Sequence, residues 1–387
     1  MLSKEWNQRK QEYDFIVIGS GYGGAITAAR ITAATPKKTV CILERGREWE
    51  VGKFPDEFGE VARSVRNPTF NPTGLYDFLL FPDISVMKGS GLGGTSLVNA
   101  NVAIVPDEEV FNQMAWPKAI KRPELMPFYD KAKHMLGANP HPRGTPSQTN
   151  SLLKVRGLDK RAQELNGKAF PVDIAVSFKD GPNAAGVEQK ACIDCGDCVT
   201  GCNVGAKNTL YMNYLPVAAR QGCDIFTKAE VKWIEKLPTG GWRIHGVRYK
   251  TLGTEDFTLD ARNVILSGGS LGTPEILLRS EFRGLSLSPK VGTQFSGNGD
   301  FFAMAYNADQ QLNTMGFGKN SNHKWAQRGN APGPSIVGAV RYGASGSSLP
   351  LEKRLLVEDF SFPSAYIGAA MIALDGLVGL GGGRDTD

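Results

Sequence analysis

The sequence predicts an α/β chain, with a parallel-sheet unit and a second, mainly antiparallel β unit. Three observations predict it. First, the apolar run Asp14–Ile18 leads into Gly19, Gly21 and Gly24 at G-x-G-x-x-G spacing, and Ala25–Arg30 opens a helix. Second, another apolar run, Thr39–Leu43, ends at Glu44, about 20 residues on, where a dinucleotide fold needs an acid. Third, strand, glycine turn and helix recur late in the chain, at Phe257–Leu266, Ser267-Gly268-Gly269 and Thr273–Leu278.

The first motif has a mechanical reading. Glycines permit the tight turn, bare backbone against a pyrophosphate, and close strand–helix packing. The phosphates rest on the free N–H groups at the helix N-terminus. Glu44 would take the ribose hydroxyls and repel a 2′-phosphate, which favours FAD or NAD over NADP. Together these features predict a Rossmann-like unit.

At 387 residues the chain has room for two or more domains. Its 21% charged and 41% hydrophobic content is ordinary for a globular protein, and a net charge of +5 without a dense basic cluster argues against nucleic-acid binding. The opening MLSKEWNQRKQEYD has no apolar stretch of the kind a signal peptide needs. Ala365–Gly383 is interrupted by Asp375 and rich in glycine, so no transmembrane segment is expected, and the expected location is cytoplasmic.

Taken in order, Arg45–Phe81 lacks periodicity and reads as a long surface excursion. The glycines at 89, 91, 93 and 94, followed by Thr95, Ser96 and Asn99, form a loop with backbone at positive φ or against a ligand; the plainer alternative is a loop leading to a strand over Leu97–Val105. Pro123–Leu136 has helical spacing, and Asn139–Ser151 has linker composition. Asn208 is placed to cap a helix through Ala218 that Gly222 stops. Strands are predicted at Ile225–Ile234, Trp242–Tyr249 and Phe257–Leu266, with a turn at Pro238–Gly241. Thr273 and Pro274 form a helix start. Beyond Gly292, strands are predicted at Phe301–Tyr306, Ser335–Tyr342 and Leu355–Val357.

Four of the six cysteines, Cys192, Cys195, Cys198 and Cys202, follow C-x2-C-x2-C-x3-C, the spacing of bacterial iron–sulfur ferredoxins. In two-cluster ferredoxins the fourth cysteine serves the other cluster and a proline follows it; here Asn203 follows and no second run exists. A single 4Fe–4S centre requires Cys202 to fold back, or Cys41 or Cys223 to replace it. Zinc on four thiolates and an empty set of reduced thiols are the alternatives.

Three motifs together, GSGYGG (Gly19–Gly24) with Glu44, GSGLGGTSLVNANV (Gly89–Val102) and SGGSLGTPEILLRS (Ser267–Ser280), resemble the glucose–methanol–choline (GMC) family of FAD-dependent alcohol oxidoreductases. The cysteine-bearing insert, FSGNGDFF (Phe295–Phe302) and GPSIVGAV (Gly333–Val340) are most similar to its cholesterol-oxidase-like branch. The resemblance implies FAD on Gly19, Gly21, Gly24 and Glu44, and an isoalloxazine against the loop bearing Gly89, Gly93, Gly94, Thr95, Ser96, Asn99 and Asn101. It also implies an adenine contact near Val231 and a contribution from Gly268 and Gly269. The implied reaction is hydride transfer from an alcohol carbon to the flavin, the substrate a sterol or other bulky alcohol and the acceptor oxygen or an electron carrier.

The resemblance further implies a catalytic histidine in a C-terminal block. The four histidines are His134, His141, His245 and His323, so the expectation is of a chain lacking that block. LLVEDFSFP (Leu355–Pro363) resembles the strand on which cholesterol oxidases carry a glutamate, which makes Glu358 the candidate base; a solvent-facing carboxylate is the alternative. His134 and His245 are expected to be structural. The domain reading is 1–110 and 191–290 for the FAD-binding domain, the latter including the cysteine insert, 111–190 for substrate-side helices and loops, and 291–387 for an incomplete substrate domain. Three functions compete: an FAD alcohol oxidoreductase, a flavin/iron–sulfur dehydrogenase feeding a carrier, and a non-catalytic flavin- or zinc-binding protein.

Overall fold

A computed structural model describes residues 1–303, 309–319, 331–343 and 346–367. The chain forms two compact units, each assembled from three segments. Met1–Glu50, Arg63–Val98 and Thr209–Asn307 make one; Val51–Ala62, Asn99–Asn208 and Ala308–Asp387 make the other. The chain passes from one unit to the other five times.

The dinucleotide-type unit is organised on a six-stranded sheet. Its spatial order is Asp224–Phe226, Val40–Leu43, Glu12–Ile18, Thr254–Leu266, Trp242–Tyr249 and Ala229–Lys236. The first four are parallel neighbours and the last two continue antiparallel. Val40–Leu43 is buried at every residue, as expected of a strand covered on both faces. Tyr13, Ile16, Leu43, Phe226, Ile244 and Leu259 belong to one core cluster, where Trp6 meets Phe226 and Phe257 edge-to-face at 5.5 and 4.9 Å.

The predicted run Ile225–Ile234 is two strands. Asp224–Phe226 pairs with Val40–Leu43 at one edge, and Ala229–Lys236 lies at the other. Lys228, at φ 59°, turns the chain between them. The helix over 208–218 also divides: Leu210–Met212 is a 3-10 turn, and Tyr214–Arg220 is capped by Asn213, whose Oδ1 accepts from Tyr214 N at 2.5 Å. Asn208 instead donates to Met135 O at 3.2 Å. The late helix begins at Gly269 rather than Thr273, with Pro274 inside it. Thr273 is therefore not the N-cap; it lies inside the helix, where its Oγ1 accepts from Gly268 N at 3.0 Å.

The second unit carries a three-stranded antiparallel sheet, in the order Leu355–Glu358, Gly338–Tyr342, Ala169–Pro171. The helix Leu153–Glu164, absent from the sequence reading, packs on it. Its Lys154 is 3% exposed, and its ammonium donates to Pro334 O, Ser335 O and Ser361 Oγ while lying 2.8 Å from Asp359 Oδ2. Arg122–Leu136 is helical as expected but has no buried residue. No strand forms over Leu97–Val105, where Gly94–Leu97 is a 3-10 turn. Phe301–Ala303 is not strand, and the rest of that predicted run, His323 and most of Ala365–Gly383 lie outside the described residues. Among the described residues no helix is long and apolar enough to cross a membrane.

Candidate functional site

The first glycines have separate duties. Gly19 sits at φ +96°, and a Cβ there would lie 2.4 Å from Ser267 O. At Gly24 a Cβ would lie 2.0 Å from Gly19 O. Both are dictated by the protein's own packing. Gly21 is different: it caps Tyr22–Thr32 with no side-chain cap bond, and a Cβ there would meet no protein atom within 4 Å. That helix end therefore offers uncapped amides and open space together, which suits an anion.

Glu44 is 6% exposed at the end of its strand. Its Oε2 accepts from Ser20 N at 3.1 Å and Ser20 Oγ at 2.5 Å, and Oε1 accepts from Gly46 N at 2.8 Å. The carboxylate ties the glycine loop to the next strand, and of its roughly four acceptor sites one remains on Oε1 for a ligand hydroxyl.

Two further glycine segments close on this loop. Gly94 must lack a side chain because its Cβ would lie 2.9 Å from Gly21 Cα, and Gly93 N donates to Ser20 Oγ at 3.0 Å. A Cβ at Gly89 would lie 2.9 Å from Gly94 O. Ser96 Oγ donates to Gly93 O at 2.6 Å and accepts from Leu210 N at 3.1 Å; Thr95 Oγ1 accepts from Gly89 N at 3.2 Å. These hydroxyls hold the loop's shape. Gly268 caps the helix Gly269–Glu281, and Gly269, at φ +80°, has open space where a Cβ would stand. Val231 is 5% exposed at a register shift in its strand, with its side chain in the core.

In the second unit, Asn101 combines two unusual features. Its backbone is left-handed at φ 72°, and it is 3% exposed. The amide lies beside the Cys198 sulfur, yet neither Oδ1 nor Nδ2 has a partner in hydrogen-bond geometry. An orphaned buried amide on a strained backbone marks a position shaped for something other than packing. Asn99 O accepts from Lys207 Nζ at 2.7 Å, and the same ammonium donates to Cys198 O at 3.0 Å.

The cysteine run has no regular structure and turns through Asp194 (φ 61°), Gly196 (φ 83°) and Gly201 (φ 110°). Cys192, Cys195, Cys198 and Cys202 all line one pocket, together with Lys207. Asp194 N lies 3.4 Å from Cys192 Sγ, and Lys207 N lies 3.5 Å from Cys202 Sγ, both as donors. Asp194 is itself fixed by His141, whose Nε2 is 2.9 Å from Oδ1 while its Nδ1 accepts from Arg143 N. Cys41 and Cys223 belong to the first unit and are buried there. Among the described residues no three His, Cys, Asp or Glu side chains come together as ligands of one metal ion.

Glu358 is half-buried on the strand Leu355–Glu358, opposite Ala339, and the three preceding residues are exposed. His245 stacks on Trp233 at 3.6 Å with Glu235 at 3.1 Å, and His134 is exposed. Sequence reasoning missed Ser20, Lys207 and His141. Ser20 lies inside the glycine motif, while nothing in the sequence places Lys207 or His141 near the cysteines.

Comparison with known proteins adds the lineage. Residues 13–297 match the GMC oxidoreductase family model. The chain is 30% identical over 373 residues to a cholesterol oxidase of Mycobacterium tuberculosis, covering 90% of this chain and 62% of that protein. It is 28% identical over 368 residues to a cholesterol oxidase of Acinetobacter baumannii, covering 88% and 63% respectively. It thus spans less than two thirds of the length of these relatives. Among solved structures, a fungal aryl-alcohol oxidase is 16% identical at a TM-score of 0.47, over 70% of this chain and 48% of that one. With strand, glycine loop and late βα unit joined as described, this chain belongs to the GMC oxidoreductase family.

Proposed function

We propose that the protein binds FAD and oxidises the CH–OH group of an alcohol, with a sterol or similarly bulky apolar alcohol as substrate. One observation carries the reading. Three glycine segments far apart in the sequence interlock, Gly19 against Ser267 and Gly94 against Gly21, while leaving Gly21 and Gly269 facing open space. Packing requires the interlock and φ +80° requires a glycine at 269, but neither gives a reason for bare backbone at Gly21. The cholesterol oxidases among its relatives support the substrate class.

The residues present fit the flavin. The amides at the start of Tyr22–Thr32 would meet the pyrophosphate and Glu44 Oε1 the ribose. When bound, FAD supplies a hydride acceptor for the carbinol carbon. The chain contributes position and proton handling. Ser20, Glu44 and Ser96 fix the loops that would orient the ring. Glu358 is the proposed base, and its carboxylate would take the hydroxyl proton.

The test is direct. Purified protein should carry a flavin absorption band or acquire one with added FAD, and a panel of sterols and primary alcohols should bleach that band without oxygen. Folded protein that refuses FAD ends the reading. Protein that binds FAD but reduces it with none of the panel retains the cofactor assignment and removes the alcohol.

A further inference from the structure

The pocket lined by Cys192, Cys195, Cys198 and Cys202 is not absorbed by flavin chemistry, and it carries an assignment of its own. We infer that these four thiolates hold a single iron–sulfur cluster of the 4Fe–4S type.

Four observations converge. The spacing C-x2-C-x2-C-x3-C is that of ferredoxin cluster loops. The requirement a single cluster imposes, that the fourth cysteine return to the first three, is met: the chain turns at Gly201 and Cys202 lines the same pocket. All six cysteines are unbridged, so the four are not consumed as disulfides. Finally, backbone amides of Asp194 and Lys207 point at Cys192 Sγ and Cys202 Sγ. A neutral thiol is a weak acceptor, so these contacts are favourable chiefly when the sulfur is an anionic metal ligand. Hydrogen bonds to the sulfurs are also one of the levers that set a cluster's potential.

The spacing of the run is what favours a cluster over zinc. Charge agrees as well. A cluster with four thiolates is net negative, and Lys207, 3% exposed, lines the pocket as a cation. On assembly four S–Fe bonds form and four thiol protons leave to solvent, with two ferrous ions, two ferric ions and four sulfides as the other reactants, so that no electron is gained or lost.

The full chain, purified without oxygen and treated with equal amounts of ferrous and ferric iron and with sulfide, should contain about four irons and about four acid-labile sulfides per chain. Dithionite reduction should give a low-temperature electron paramagnetic resonance signal of a reduced cluster, distinct from a narrow flavin radical. Cys198→Ser should lose at least a quarter of the iron, and Cys223→Ser, in the other unit, should lose none. One zinc per chain, or a folded chain that takes up no iron after treatment, overturns the assignment. Iron content is read independently of flavin. FAD-binding protein without iron sinks this inference alone; a cluster in protein that refuses FAD sinks only the proposed function.

Discussion

The glycine loops of the first unit and the cysteine pocket of the second solve opposite problems. Around Gly19, Gly21 and Gly94 the working surface is backbone, made by leaving side chains out, and its neighbours lie in strands and helices. Around Cys192–Cys202 the working surface is side chain, and the backbone is a series of turns held by Asp194, Gly196 and Gly201. A backbone site tolerates no added atom where chains cross; a side-chain site tolerates backbone irregularity but no lost donor atom.

The sharpest way to break this contrast is Gly24→Ala. Its Cβ would stand 2.0 Å from Gly19 O, a backbone atom that cannot step aside. We expect destabilisation of about 3 kcal/mol or more in denaturant unfolding, together with loss of flavin.

Next is an opposed response to pH. Burial pushes the Asp197 carboxyl, beside the cysteines, up to about 6 from 3.8. The folded state holds that proton more tightly, so this contribution is full at acid pH and is lost as pH rises from about 4 through 6. Its size is at most about 3 kcal/mol. Asp77, in the glycine unit, goes the other way. Burial raises it, but Arg45, Arg66 and Lys88 outweigh burial and hold it below 3.8. Its contribution is present above 3.8 and lost only as pH falls through the lowered value. Unfolding followed from pH 4 to 7 should therefore show weakening that Asp197→Asn removes and Asp77→Asn does not.

A smaller effect sharpens the ligand reading. Gly21→Ala has ordinary φ and free space, so stability should stay within about 0.5 kcal/mol, while FAD affinity should fall about tenfold, or 1.4 kcal/mol, by fluorescence titration. A variant that binds normally would show that no phosphate approaches Gly21. The smallest is His245→Ala, which removes a stack on Trp233 and should cost no more than about 1 kcal/mol without changing flavin content.

What could be read in advance follows the same division. Glu12–Ile18, its glycines and the helix after them were legible because strand, turn and helix all follow from local sequence. The split at Lys228 was not, since an unbroken run of strand-forming residues says nothing about which edge of a sheet each half will join. Asn213 prevailed over Asn208 as cap because Asn208 is engaged with Met135, a contact made across 73 residues. The helix Leu153–Glu164 hid behind a buried lysine, whose partners Pro334, Ser335, Asp359 and Ser361 come from far along the chain. The cysteine spacing was plain; that Lys207 and Asn101 would meet it was not.

Glu12–Ile18 lies between Val40–Leu43 and Thr254–Leu266. During synthesis one flank of that strand finds its neighbour almost at once, while the other must wait until residue 266 has left the ribosome. For most of translation Ile16 and Val17 therefore present an unpaired, apolar edge, a surface that invites pairing with another chain. Co-expression with a holding factor should therefore raise the folded yield more than the finished protein's stability suggests.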